Sequence, residues 1–176
     1  MNRCLLAFPA AFCALTIMAA DQPAKSGFTV KPPPGWTALR QSQSSDVAMW
    51  GRRDPKDPRH TAVAVVRISP EAPVKLTVAD LRQAAEQKLK QRNTGRIRDF
   101  HSDLREGTRR GAPSLELRTR CVDTGVTPAA RMVSYSFLLI TPDNRLLVAT
   151  VSERSSDAKF RFNAPEAAKF LDSVSW

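Results

Sequence analysis

The chain has 176 residues and a formal net charge of +10, from 27 Lys and Arg against 17 Asp and Glu, with 7 glycines, 3 cysteines and 2 histidines. That length fits one ordinary domain able to bury about 70% of its unfolded surface, so the core needs neither metal nor disulfide support. So few glycines leave little to build a phosphate loop, and neither His60 nor His101 stands in a His-x-x-His or Cys-x-x-Cys spacing, which removes zinc and nucleotide loops as starting hypotheses.

Met1-Asn2-Arg3 carries one positive charge, an apolar run follows from Cys4 to Ala20, and the chain turns polar at Asp21-Gln22-Pro23. That is the layout of a secretory signal. The rival is an uncleaved anchor, since cleavage after Ala20 puts the imperfect Met18 at −3. The run falls short of the roughly 20 residues a spanning helix needs and contains Pro9, which favours cleavage. The expected organisation is a signal at 1–20, a linker at 21–27 and one domain at 28–176, in an exported protein that is periplasmic or extracellular. Cleavage would remove Cys4 and Cys13, leaving Cys121 without an internal disulfide partner.

Phe28-Thr29-Val30 reads as a short strand, ended by Lys31-Pro32-Pro33-Pro34-Gly35-Trp36, where three prolines and a glycine force a turn that presents Trp36. Asp46–Arg53 reads as a strand, and 51–60 as a proline-studded loop. Thr61–Ile68, nearly continuous in Ala and Val, is expected to be covered on both faces. Thr77 and Asp80 have the spacing of a capping box, and Val78, Leu81, Ala85 and Leu89 mark one stripe of a helix running to about Arg92. Arg96–Leu104 and Ser114–Asp123 are expected strands joined by a loop at Glu106–Pro113, although Ile97 and Phe100 are out of phase. Arg131–Ile140 and Leu146–Ser152 form a hairpin closed by Thr141–Arg145. Asn163 and Glu166 form a second capping box, starting a helix that buries Ala167, Phe170 and Leu171, with Pro165 tolerated in its first turn. Strands linked mostly as hairpins, with one helix mid-chain and one at the end, predict an α+β fold: a central antiparallel sheet flanked by helices.

Three stretches resemble the PsbP-like family, which includes photosystem accessory proteins, a nuclear Ran-binding protein and many exported bacterial proteins of unknown role. They are Phe28-Thr-Val-Lys-Pro-Pro-Pro-Gly-Trp36, Gly111-Ala-Pro-Ser-Leu-Glu-Leu117 and the closing Phe170-Leu-Asp-Ser-Val-Ser-Trp176. The resemblance implies a sheet with helices on both sides, used for binding or assembly and not for catalysis. It carries over no functional residue, and Trp36 is structural on both grounds.

His101-Ser102-Asp103 sets three triad residue types side by side, but strand neighbours point to opposite faces. No catalytic, metal or cofactor site is expected. Asp99, Asp103, Glu106 and Glu116 are interleaved with arginines and read as salt-bridged surface strands. Cys121 shares a face with Leu115, Leu117 and Thr119, so it is expected to be buried. Arg outnumbers Lys by 19 to 8, and the segment from Arg82 to Arg120 holds 11 basic and 5 acidic residues. Arg presents a planar fork suited to carboxylate and phosphate. The candidate contact residues are therefore Arg118 and Arg120, on one strand face with Glu116, and a second cluster of Arg52, Arg53, Lys56 and Arg59. Nucleic acid is disfavoured by export and by the scarcity of aromatics among the arginines. The expectation is a monomeric, non-catalytic exported module for an unknown partner. Its alternative is a peripheral binder of anionic envelope material, either lipid head groups or acidic glycans.

Overall fold

The computed structural model describes residues 27–41, 46–54, 59–92 and 95–176. The expected signal, and the linker apart from Gly27, lie outside the described residues, as does Lys56. The elements are β1 (Thr29–Val30), β2 (Thr37–Gln41), β3 (Val47–Arg53), β4 (Thr61–Ile68), α1 (Val78–Arg92), β5 (Ile97–Arg109), β6 (Ala112–Asp123), β7 (Ala130–Ile140), β8 (Leu146–Ser155), α2 (Ala164–Asp172) and β9 (Val174–Ser175). Among the described residues, seven strands form one antiparallel sheet in the order β2-β3-β4-β8-β7-β6-β5, and β1 pairs with β9 beside it. None of the described helices is long and apolar enough to cross a membrane.

Strand register divides the sheet into two faces, each with its own core. On the first, α2 and the β1–β9 pair bury Ala48, Trp50, Ala64, Val66, Phe137, Leu139, Leu147, Ala149 and Val151 under Phe170, Leu171 and Val174. Trp36 belongs to this cluster, its ring centre 4.8 Å from that of Phe170, which bears out its structural role. On the second face, α1 lays Leu81 and Ala85 against Leu115, Leu117 and Leu138. Cys121 is buried on that face, as its period-two spacing predicts.

Both helix starts follow from their caps. The Thr77 backbone N–H donates to the Asp80 carboxylate at 2.7 Å and the Asp80 N–H returns to the Thr77 hydroxyl at 3.4 Å, closing the box that starts α1. The Thr77 hydroxyl also donates to that carboxylate and is the main reason its pKa lies below the ordinary value. At α2 the Glu166 N–H donates to the Asn163 side chain at 3.3 Å and the Asn163 amide reaches the Glu166 carboxylate at 3.0 Å, with Pro165 in the first turn. The backbone N–H of Asn163 instead donates to Glu153.

Two expectations need correction. β4 is not covered on both faces: Ala62, Ala64, Val66 and Ile68 are buried, but Val63 and Val65 are only half-buried and Arg67 is exposed. The reason is that α1 packs chiefly on β6 and β7. The expected loop at Glu106–Pro113 is mostly strand. β5 and β6 stay paired up to Arg109 opposite Ala112, and the chain reverses over Arg110 (φ 51°) and Gly111 (φ 79°), the two positive φ values that a tight hairpin turn requires. Here cross-strand pairing outweighs the poor strand propensity of Gly107 and Pro113. Ile97 and Phe100 are out of phase because the β5–β6 register shifts between Arg98 and His101, where Asp99 takes φ 51°. The short β2 and β9 carry too weak a pattern to be anticipated.

Candidate functional site

The first face of the sheet is half covered. α2 runs over β7 and β8, and its far end is fastened by Arg109 to the Leu171 carbonyl at 3.3 Å and to Asp172 at 2.8 Å, and by Arg110 to the Asp172 carbonyl at 2.8 Å. Beyond it, β5 and β6 carry His101, Asp103, Arg105, Glu116, Arg118 and Arg120 on the same face, all exposed. The segment linking β8 to α2 walls this shelf with aromatic rings. Phe162 stacks on Tyr135 with ring centres 4.6 Å apart, and the Arg118 guanidinium lies 4.6 Å from the same Tyr135 ring. A depression of about 380 Å³ is lined by His101, Asp103, Arg118, Arg120, Val133 and Tyr135. A second, of about 410 Å³, adjoins it through His101, Arg120 and Val133 and extends to Arg131 and Phe160.

The shelf's acids and bases are unevenly matched. Asp103 pairs with Arg105 at 2.9 Å, and Glu106 on the other face pairs with Arg82 of α1. These two pairs bear out the expectation of salt-bridged surface strands for Asp103 and Glu106, whereas Asp99 and Glu116 form no ion pair among the described residues. Among the described residues, however, Arg118, Arg120 and Arg131 form no ion pair. Three guanidinium groups therefore face solvent beside an aromatic wall.

The second cluster is built differently. Arg52 is half-buried and bonds Glu166 at 2.7 Å, approaches the buried Glu153 at 3.8 Å, and lies over the Trp36 ring at 5.8 Å. Glu153, only 1% exposed, also accepts the Asn163 N–H at 3.1 Å and sits 3.1 Å from His60, whose other ring nitrogen is 3.6 Å from Asp54. Arg52 is thus a clamp between β3, β8 and the start of α2. Arg53 and Arg59 are exposed, but Arg53 lies on the opposite face from Arg52 and away from the shelf. The structure brings Arg118 and Arg120 together and does not join the second group to them.

His101 and Asp103 face the shelf while Ser102 faces the other way, so the three triad residue types do not converge. Sequence reasoning missed the clamp and the aromatic wall. The clamp had a signal: Leu147, Ala149 and Val151 set an inward period of two that Glu153 continues, which marks a carboxylate on a buried face. Tyr135 was legible in the same way, two residues from the buried Phe137. Phe160 and Phe162 lie in a loop, where no periodicity points.

No family model matches the chain, and no curated protein does. Similar solved structures do exist. Cyanobacterial PsbP (CyanoP) from Synechocystis sp. PCC 6803 superposes with a TM-score of 0.55 at 15% identity, over 96% of this chain and 99% of that one. LpqN of Mycobacterium tuberculosis, involved in cell envelope biogenesis, gives 0.54 at 18%, over 84% and 82%. The Ran-binding protein Mog1p of Saccharomyces cerevisiae gives 0.50 at 14%, over 85% and 89%. The fold is therefore that of the PsbP-like proteins, as the short stretches at the start, middle and end of the domain implied.

Proposed function

We propose that this chain is an exported, non-catalytic binding module that contacts its partner through the open shelf of β5, β6 and β7. The carrying observation is the group of unpaired guanidinium groups, Arg118, Arg120 and Arg131, on an uncovered sheet face beside Tyr135, Phe160 and Phe162. Arginine with aromatic rings is the composition enriched at protein contact surfaces. The shared fold supports the same reading, since LpqN works in envelope biogenesis and Mog1p binds Ran. Affinity capture from envelope extract with the C-terminally tagged full chain tests it. Arg118→Glu with Arg120→Glu should lose what the unaltered chain retains, with an unchanged circular dichroism spectrum. Retention of the same proteins by both would remove the shelf from the contact. N-terminal mass spectrometry of the secreted chain should find a start near Asp21, and an intact Met1 in the membrane fraction would replace export with anchoring.

A second reading, peripheral binding to anionic lipid head groups or acidic glycans, is favoured by the net charge of +10 and by exposed Arg53 and Arg59 outside the shelf. Such binding should weaken steeply with salt and respond to charge reversal at either cluster.

A further inference from the structure

If the chain is a binding module as proposed above, its shelf also restricts what can be bound. We infer that the occupant is a short extended segment of another protein in which acidic and aromatic or branched apolar side chains share one face, taking turns at every second position.

Four observations converge on that chemistry. The unpaired arginines ask for carboxylates, and a planar guanidinium matches a carboxylate in two parallel hydrogen bonds. Between them the surface is apolar: Val133 separates Arg120 from the clamp side of the sheet, and Tyr135 and Phe160 form the wall. A purely polar polyanion would leave that surface unused. The shelf also holds its own carboxylates, Asp103 and Glu116, within the row of bases, and these would repel a uniformly anionic surface such as a membrane. A peptide can place its charges between them. Finally, the two depressions adjoin and are each large enough to take a side chain. An extended segment lying on the face sets every second side chain onto it, so acids and apolar residues that take turns at every second position meet both the arginines and the apolar surface.

The probe is a fluorescein-labelled ten-residue peptide with Asp or Glu and Phe or Val taking turns at every second position and Ser between them, titrated into the full chain by fluorescence anisotropy. Its controls are the same composition with the acids replaced by Lys, the same acids with the apolar residues replaced by Ser, and vesicles of anionic phospholipid. The expected result is binding of the first peptide alone, weakened at least 10-fold by Arg120→Glu and also by Val133→Asp, with Arg53→Glu binding as the unaltered chain does. Tyr135 is the sole tyrosine of the chain. Its ring resonances should therefore shift on binding in a sample labelled only at tyrosine, which reports the site even where a variant folds poorly. Equal binding of the Ser-substituted peptide, or binding to vesicles without the peptide, would overturn the inference and leave the module reading in place. If the peptide binds without moving the Tyr135 resonances, the shelf is not the site.

Discussion

Arg52 and Arg120 stand on one row of the same sheet face, four strands and so about 19 Å apart, in the order Arg52, Ala62, Glu153, Val133, Arg120. The chemistry is identical and the circumstances are opposite. Arg52 lies under the start of α2, where Glu153 and Glu166 engage it; Arg120 lies beyond the edge of the helix and forms no ion pair among the described residues. Local charge density does not separate the two, since Arg52-Arg53 and Arg118-Thr-Arg120 are equally basic in sequence. The helix overhead decides which arginine is structural and which is available.

The comparison is broken most severely at Glu153. Replacing it with Ala removes the buried carboxylate shared by His60, the Asn163 N–H and Arg52, at about 1–3 kcal/mol for each buried polar partner left unsatisfied, while Arg52 keeps Glu166. Urea unfolding should show that loss, and a midpoint close to the unaltered protein's would mean the clamp is idle. Arg52→Ala removes hydrogen bonding to charged groups and the contact with Trp36, so a smaller loss of about 1–3 kcal/mol is expected in the same measurement.

At the other end of the row, Arg118→Glu with Arg120→Glu should change stability by no more than about 0.5 kcal/mol, as surface substitutions do. A large destabilisation there would show that the two arginines are structural too. The smallest effect concerns Asp80, an exposed carboxylate whose partner is its own neighbour in the chain. Its pKa is depressed in the folded state, so its contribution is present above the unfolded pKa and is lost as pH falls through the folded one. Asp80→Asn should therefore lower the thermal midpoint slightly at neutral pH, with the difference vanishing in acid. A constant difference across that range would assign the effect to the cap geometry alone.

Much of the scaffold could be read in advance because its signals are local. α1 starts and ends where the Thr77–Asp80 box and the Leu81–Ala85–Leu89 stripe place it, and the β7–β8 hairpin follows from its turn. The orientation of Arg118 and Arg120 away from Leu115, Leu117 and Cys121 needed only the alternation of a strand. What escaped depends on pairing between distant residues. The extension of β5 to Arg109 comes from its partner β6, and the burial of Glu153 comes from a helix whose N-cap, Asn163, lies ten residues later. The wall of the candidate site was hidden for the same reason, because Phe162 acquires its meaning only by stacking on Tyr135.

The pairing of β1 with β9 holds the first described strand beside the end of the chain. Gly27 abuts the Arg145 side chain beside Ile68, at the β7–β8 turn. The row that contains Arg120 and Val133 lies about seven residues away along β7, a span of roughly 25 Å. Gly27 thus marks one end of the sheet, and the cationic shelf lies toward the other.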